Sequence, residues 1–563
     1  MFKKILIANR GEIAVRIVEA CRRLEVRSVA VYSEADEDAL HKRLADEAIC
    51  CGPARATDSY LDVARIVGLA KQVGADAIHP GYGFLSENAE FARTVTEAGI
   101  VFIGPTPEVI GAMGLKIAAR ERMIEAGVPI VPGGEQITDA EEACRAAAEI
   151  GYPVLVKASA GGGGRGMRRV DDESQLAAAL ERAASEAEAA FGDGTVYLEK
   201  CLIRPRHIEI QIMADSTGHT IHFGERECSI QRRHQKLIEE APAFGMTPEL
   251  RASMGDAAVR AARAVGYVGA GTCEFLVDAR GEFFFLEMNT RIQVEHPVTE
   301  AVANVDLVDL QIRMAAGEAL SIAQEEVSIS GHAIEARIYA EDPEKNFIPS
   351  PGPIVAWVAP SGPGIRLDSG FEGGQTVSSH YDPMIAKLIV SGRDREEALA
   401  RLTAALEVFT IAGIRTGLPF LRRVCENGVF REGAYDTAFI ENEMADGLGP
   451  LDGDLRDLVL AVVAHRAAAI DPGAASRFEV ALPKADAVLA EVLGDNVRLG
   501  ETEIPLDLLS DGNAIVTITH REAPFRITVV ARKKGGFDVG LRDRVLRVKC
   551  SAVHEVRIPS NRG

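Results

Sequence analysis

Two strand-like runs, Gly271-Thr272-Cys273-Glu274-Phe275-Leu276-Val277 and Phe283-Phe284-Phe285-Leu286-Glu287-Met288-Asn289, flank the turn-forming Ala279-Arg280-Gly281-Glu282. A hairpin closing symmetrically on that turn sets Glu274 opposite Glu287, with Cβ atoms about 4.5–5.5 Å apart. Like charges so placed destabilise the pair unless a cation lies between them. A hard divalent ion carrying nucleotide phosphates meets the requirement, because Mg²⁺ or Mn²⁺ takes carboxylate oxygens and keeps places for water or substrate. Strand alternation puts Asn289 on the face of Glu287, as a third oxygen ligand. The expectation is a metal–nucleotide site at Glu274, Glu287 and Asn289.

Arg291, Gln293 and Glu295 follow at alternate positions, so an extended chain presents all three to one side. Guanidinium, amide and carboxylate together suit a small oxyanion such as bicarbonate: two donors hold it and a base takes its proton. A second feature is the glycine loop KASAGGGGRGM after the apolar run Pro153 to Val156. Successive glycines let backbone N–H groups approach phosphates closely, and Lys157 and Arg165 add positive charge. It is not a Walker A loop. A third is ERECSIQRRHQKLIEEAP, Glu225 to Pro242, where Gln231, His234 and Lys236 alternate with arginines. Such runs are usually solvated faces; here the alternation favours a functional one.

The rest of the chain sets the frame. Its 563 residues allow three or four domains. A net charge of -21 disfavours extended nucleic-acid or anionic-membrane binding, and no stretch approaches the roughly 18 apolar residues of a membrane span. The opening MFKKILIANRGE has too short an apolar run for a signal peptide and reads as a first strand. Nine cysteines without a C-x-x-C pair point to reduced thiols, with Cys50 and Cys51 as interior packing. The chain is expected in the cytoplasm.

Strand and helix alternate over the first ~115 residues: Lys4–Ala8, a helix from Gly11 to Leu24, Ser28–Tyr32, Ala75–His79 and Ile100–Ile103. This predicts a doubly wound parallel sheet, with the loop HPGYGFLSEN at a strand's carboxyl end, where such sheets place ligands. Next comes an α+β region with helices around Lys116 and near Thr138-Asp139-Ala140-Glu141, a capping-box pattern. Its strands fall at Pro153–Lys157, Val196–Glu199, His207–Ile212 and the Gly271–Asn289 pair. A mixed segment follows, with strands at Ala333–Arg337 and Met384–Leu388 and a proline turn at Ile348–Pro353. The stretch ADGLGPLDGDL, near 445–455, reads as a linker to a helix from Leu458 to Ala469 and several β-like runs.

The motifs ILIANRGEIAVRI, HPGYGFLSEN, KASAGGGGRGM, ERECSIQRRHQK, EMNTRIQVEHPVTE, GHAIEARIYAEDP and YDPMIAKLI, in this order over about four-fifths of the chain, resemble the biotin-carboxylase family of ATP-grasp enzymes. The resemblance implies a biotin-carboxylase N-terminal domain over 1–114, an ATP-grasp domain over 115–330 and a biotin-carboxylase C-terminal domain over 331–446. A helix plus β-barrel-like subunit-docking tail over 455–563 completes the α/β and α+β multidomain fold. The implied reaction is ATP-dependent carboxylation of biotin by bicarbonate through carboxyphosphate, the first half-reaction of an acyl-CoA carboxylase of the propionyl-, methylcrotonyl- or acetyl-CoA type.

On the positions that match, Glu295 looks like the base for bicarbonate, with Arg291, Gln293 and the Val294 backbone holding the anion. Arg337 would stabilise the biotin oxyanion, and Lys236 would contact bicarbonate or the transferring phosphoryl group. Lys116, Lys157 and Gly161, Gly162, Gly163, Gly164 and Gly166 would hold ATP phosphates. Glu199 and Leu202 would lie at the adenine, with His207, Gln231 and His234 nearby, and Glu274, Glu287 and Asn289 would carry Mg²⁺ or Mn²⁺. Leu115, Ala160 and Gly417 depart from the family pattern, where aspartate, glycine and asparagine are usual.

No Met-Lys-Met occurs anywhere in the chain. Either the biotin carrier is a separate polypeptide or this chain is part of a longer one. The implied partners are a biotin carboxyl carrier protein and a carboxyltransferase β-subunit in a hetero-oligomer, with no nucleic acid and no membrane. Two other readings are another ATP-grasp ligase, which would need an amine acceptor, and a silent scaffold docking through 455–563. The full set of metal and base residues weighs against the scaffold.

Overall fold

The computed structural model describes all residues except 138–139, 159–166, 192–193, 446–452, 471–476, 483–486, 494–495, 500, 507, 512–514, 521–522, 533–536, 542–544 and 553–563. The glycine loop Gly161 to Gly166, Thr138 and Asp139 of the capping box, and most of the proposed linker therefore lie outside the described residues. Lys116 opens a helix, Lys116–Glu125, but its side chain is also outside them.

Lys4–Ile7 (β1), Arg27–Ser33 (β2), Glu47–Gly52 (β3), Ala77–His79 (β4) and Val101–Phe102 (β5) form a parallel sheet in the order β3-β2-β1-β4-β5. It is covered on both faces, as strand alternation requires. Ile5 and Ile7 pack with Ile13, Ile17 and Val18 of helix Gly11–Arg23. Leu6 and Ala8 pack on the other side, with Ile66, Val67 and Ala70 of helix Val63–Val73. The same alternation separates the adjacent cysteines: Cys51 is buried but Cys50 is exposed, so only one is interior packing. Strand order reverses between β1 and β4, which brings the loops after Ile7 and His79 to one crevice. The Asn9 side-chain amide joins them, donating to Pro80 O and Tyr82 O, each at 2.7 Å.

Gly133–Ile137 (β6), Val154–Ala158 (β7), Arg168–Val170 (β8) and Val196–Lys200 (β9) make a small antiparallel sheet in the order β6-β9-β7-β8. Val154, Val156 and Leu198 form its core with Ala143 and Ala147 of helix Ala140–Ile150 and Leu176 and Ala183 of helix Glu173–Phe191.

The sheet that organises the molecule comprises Arg206–Ala214 (β10), Thr220–Arg232 (β11), Gln235–Ala241 (β12), Gly269–Val277 (β13), Phe283–Asn289 (β14), His332–Tyr339 (β15), Ile365–Ser369 (β16) and Met384–Gly392 (β17). They run antiparallel in the order β14-β13-β10-β11-β12-β15-β17-β16. The pairing of β12 with β15 carries this sheet across the boundary expected at 330/331. Helices pack on its apolar face: Pro248–Ala264 against Ile208, Ile210, Cys273 and Phe275, and Arg395–Val408 against Ile334, Ala336 and Leu388. The other face carries His207, Glu209, Glu274, Glu239, Glu335, Arg337 and Lys387, all buried. A polar face without water must be satisfied by its own charges.

The proline segment is more regular than a turn: Ile348–Pro349 pairs with Glu341–Asp342, and Gly352–Pro353 pairs with Thr376–Val377. The tail helix starts before the expected Leu458 and runs Gly453–Ile470, so it takes in the end of the proposed linker. Leu458 through Ala464 are all buried, the signature of a helix enclosed on every side. Described strands between Arg477 and Ala552 form one antiparallel sheet curved around it, with Phe478, Val480, Val497, Ile527, Val529 and Val548 in the shared core. Its two end strands, Thr502–Pro505 and Leu508–Asp511, are not paired to each other among the described residues, so it is a partial barrel.

Leu115 separates helix Pro107–Gly114 from helix Lys116–Glu125 and is the N-cap of the second. Its backbone is extended (φ -97, ψ 103), its side chain caps nothing and it is 66% exposed. Leucine cannot accept the N–H bonds that an aspartate would, nor complement the helix dipole. Leu115→Asp is expected to raise unfolding free energy by about 1 kcal/mol. Chemical denaturation of the two proteins tests this, and an unchanged or lower midpoint would contradict it.

Candidate active site

The hairpin places Glu274 opposite Glu287, as the symmetric closure predicts, but by a different route. Phe275, Leu276 and Val277 pair with Phe285, Phe284 and Phe283, one residue out of that register, because the turn closes between Asp278 and Glu282. A bulge at Leu286 restores it, so that Glu274 faces Glu287, Cys273 faces Met288 and Thr272 faces Asn289. Glu274 is buried, whereas Glu287 is exposed along a cleft of about 310 Å³ that Lys157, Tyr197, Glu199, Phe285 and Met288 also line.

Glu274 is compensated by the chain itself. Its Oε1 accepts from Lys236 Nζ at 3.0 Å, Asn289 Nδ2 at 2.9 Å and Gln293 Nε2 at 2.7 Å. Its Oε2 lies 2.9 Å from His207 Nε2. Burial pushes this carboxyl up, but Lys236 and His207 outweigh burial and hold it well below the ordinary range. Two carboxylates and an amide, one carboxylate on the cleft edge, are hard oxygen donors that fit a divalent cation.

Lys236 is the centre of the cluster. Besides Glu274, its ammonium bonds Glu295 Oε1 at 2.7 Å and Glu209 Oε1. Burial favours the neutral amine, yet Glu274 and Glu295 raise the lysine above its usual value. Arg337 completes the other side, with Nε donating to Glu239 Oε1 at 2.6 Å and Nη2 to Glu295 Oε2 at 2.9 Å. Each Glu295 oxygen is thus bound by a different cation. Burial would raise this carboxyl, but Lys236, Arg337 and Arg226 reverse the effect, and it stays ionised far below the ordinary glutamate range. Solvated ion pairs of this kind contribute about 0–1 kcal/mol. Removing one partner here would leave a buried charge, at a cost of about 3–5 kcal/mol.

The segment after β14 is not extended. Val294 and Glu295 turn, and Glu295 is the N-cap of helix His296–Ala303. The alternation that put Arg291, Gln293 and Glu295 on one side therefore fails as geometry, although the three side chains still gather around Glu274. Arg291 Nη2 donates to Asn289 Oδ1 at 2.8 Å, and its Nε to Glu87 Oε2 at 2.8 Å. Glu87 ends the glycine-punctuated loop after β4 and also takes Thr290 N at 3.1 Å, so the first domain's crevice faces this site.

The remaining positions spread outward. Lys157 bonds Glu199, with Arg120 Nη1 also 3.3 Å from Glu199 Oε1. The lysine expected at phosphates and the glutamate expected at adenine are therefore paired, because β7 and β9 set Leu155 opposite Glu199 and leave the lysine one diagonal away. Leu202 is half-buried just past β9, and Gln231 lies opposite Lys236. His234 is exposed at the β11–β12 turn, where Arg233 (φ 50) and His234 (φ 66) take the left-handed conformations usual for Asn-Gly. Arg232, 4.1 Å over the Phe347 ring, and Arg233, bonded to Asn346 Oδ1 at 3.2 Å, hold this turn.

Arg226 has no counterpart among the residues singled out from sequence. It is fully buried and donates to Gln211 Oε1 (2.7 Å), Thr272 Oγ1 (3.0 Å), Thr299 Oγ1 (3.1 Å), Glu209 Oε2 and Gln293 Oε1. Glu209 is likewise absent from that set. Its signal is the alternation His207-Ile208-Glu209-Ile210-Gln211, which sets three polar residues on one face of an apolar strand.

Family models described as "Biotin carboxylase, N-terminal domain", "Carbamoyl-phosphate synthase L chain, ATP binding domain" and "Biotin carboxylase C-terminal domain" match residues 1–110, 116–323 and 335–442. The chain belongs to the biotin carboxylase family. It is 54% identical over 443 residues to biotin carboxylase 1 of Bacillus subtilis, covering 78% of this chain and 98% of that protein. It is 54% identical over 445 residues to the biotin carboxylase of Halalkalibacterium halodurans, covering 79% and 98%. Among solved structures it resembles the biotin carboxylase domain dimer of Hydrogenobacter thermophilus 2-oxoglutarate carboxylase, in complex with MgADP, ADP and bicarbonate. The TM-score is 0.75 at 50% identity, over 80% of this chain and 100% of that one.

Proposed function

We propose that this biotin carboxylase uses ATP and bicarbonate to carboxylate biotin presented by a carrier protein. The observation that carries the reading is Glu295, an ionised carboxylate clamped between Lys236 and Arg337 beside the Glu274–Glu287 edge of the cleft. The relative of known structure that holds MgADP and bicarbonate supports these ligands.

A bicarbonate oxygen attacks the γ-phosphorus, the bond to the ADP oxygen breaks, and carboxyphosphate forms. Carboxyphosphate then releases CO2, and the phosphate left behind takes the ureido proton of biotin. The freed nitrogen bonds the CO2 carbon. Arg291, Gln293 and the Val294 N–H hold bicarbonate, and Glu295 accepts its proton. Lys236 steadies the transferring phosphoryl oxygens, and Arg337 the developing ureido oxyanion. Lys116, Lys157 and the Gly161–Gly166 loop bind phosphates. Glu199 and Leu202 border the adenine, with His207, Gln231 and His234 beside the nucleotide. Glu274, Glu287 and Asn289 would hold Mg²⁺ or Mn²⁺, which would neutralise charge on the phosphate oxygens.

The clamp also governs how Glu295 works. A carboxylate held so far down is a weak base. Three cations depress it, Lys236, Arg337 and Arg226, and Lys236 is the one assigned to the incoming phosphoryl group. Substrate arrival therefore draws positive charge away from Glu295 while keeping it dry, and its proton affinity rises where the proton is to be taken.

The chain is then one component of an acyl-CoA carboxylase: a carrier delivers biotin, and a carboxyltransferase β-subunit docks at the 455–563 tail in a hetero-oligomer. Nine free cysteines support a cytoplasmic location. No helix among the described residues is long and apolar enough to cross a membrane.

Two substitutions test the division of labour. Glu287→Gln should abolish metal-dependent ATP turnover with the fold intact. Arg337→Ala should cut biotin carboxylation at least tenfold more than it weakens nucleotide binding. Steady-state ADP release and nucleotide titration read both; near-normal turnover in the first or equal losses in the second would refute the assignment.

A further inference from the structure

Lys387 is fully buried on β17, and no step of the proposed reaction uses it. A buried ammonium is costly, and an apolar side chain would pack the same space at no such cost. Its Nζ donates to the main-chain Val294 O at 2.7 Å. It also lies 3.3 Å from Glu12 Oε2 and 3.9 Å from Asp368 Oδ2. Glu12 comes from the first helix of the chain and accepts from the Tyr82 hydroxyl, in the loop after β4, through its other oxygen. Asp368 is bound by both arms of Arg366, at 2.7 Å each, so Glu12 is the counter-ion left to the lysine.

On the other side of Val294, the Gln293 carbonyl accepts from His296 Nδ1 at 2.7 Å. His296 is fully buried, and burial together with Lys387, Arg16 and Arg366 keeps its ring neutral. The proton therefore sits on Nδ1. In a trans peptide the N–H points opposite the carbonyl, so this bond turns the Val294 N–H away from the His296 ring. The two peptide planes flanking Val294 are thus each pinned by a buried donor, one from β17 and one from helix His296–Ala303.

We propose that Lys387, anchored by Glu12 and acting with His296, is a positioning residue for bicarbonate: by holding the Val294 carbonyl it fixes the peptide plane that leads into Glu295, while His296, through the Gln293 carbonyl, fixes the Val294 N–H. This rests on the proposed role of 291–295 as the bicarbonate cradle. It makes that cradle depend on three parts of the chain at once: the Glu12 helix, the ATP-grasp segment and β17.

The test is bicarbonate-dependent ATP cleavage by the full chain, with KM measured separately for bicarbonate and ATP. Lys387→Met is expected to raise the bicarbonate KM at least tenfold and leave the ATP KM within twofold. If Lys387→Met does not fold, Glu12→Gln, which keeps a hydrogen-bond acceptor but removes the counter-charge, should raise the bicarbonate KM several-fold with the same selectivity. His296→Asn, which keeps a donor near the Nδ1 position, should perturb bicarbonate KM less than His296→Leu. An unchanged bicarbonate KM, or equal rises for both substrates, in the folded variants overturns the proposal. Absence of bicarbonate-dependent cleavage in the unsubstituted protein would instead overturn the functional reading beneath it.

Discussion

A single ammonium, Lys236, joins Glu209, Glu274 and Glu295, which come from two strands of the central sheet and from the segment that starts the 296–303 helix. The antiparallel sheet forces the arrangement. One face is filled with isoleucine, alanine and phenylalanine under helices, so alternation drives every second residue to the opposite face. There the pairing aligns glutamates across strands: Glu287 with Glu274, Glu274 with Glu209, and Glu239 with Glu335. Apart from the exposed Glu287 these carboxylates are buried, and they would push the strands apart without interleaved cations. Lys236, Arg226, Arg337 and Lys387 supply them.

The compensation is uneven. Glu335 has no hydrogen-bond partner for either oxygen among the described residues, and burial raises its carboxyl well above the ordinary range. Glu12 is pushed up by burial to about 7 despite Lys387. Glu295 is driven the opposite way because both its oxygens meet cations. Electrostatics of this kind is poised rather than settled: a cation that swings to an incoming phosphate changes the protonation of the carboxylate it leaves.

The sequence makes some of this architecture legible and hides the rest for physical reasons. The alternation of the first hundred residues is strong because parallel strands covered on both faces are short apolar runs, and β1, β2 and β4 appear where that pattern places them. β3, Glu47–Gly52, escapes notice because its alternating exposure breaks the run. The Glu274–Glu287 pairing emerges from hairpin symmetry, but the bulge at Leu286 that produces it is invisible, since two compensating one-residue shifts leave the sum unchanged. Gln293 and Glu295 reach the cluster through a turn that spacing alone renders as a strand. Arg226 is hidden in a charge run, because nothing local marks which of several arginines is surrounded by five acceptors from distant segments.

Glu295 is ionised between Lys236 and Arg337, and under the proposed mechanism it gains basicity as the phosphoryl group draws Lys236 away. The decisive measurement is the pH dependence of bicarbonate-dependent ATP cleavage, with concentrations expressed as bicarbonate ion. The acid limb of kcat/KM reports the free enzyme and that of kcat the bound complex. The limb for kcat is expected at the higher pH, and Glu295→Gln is expected to remove the activity carrying it. Coincident limbs, or a kcat limb at lower pH, would contradict the cation-release mechanism.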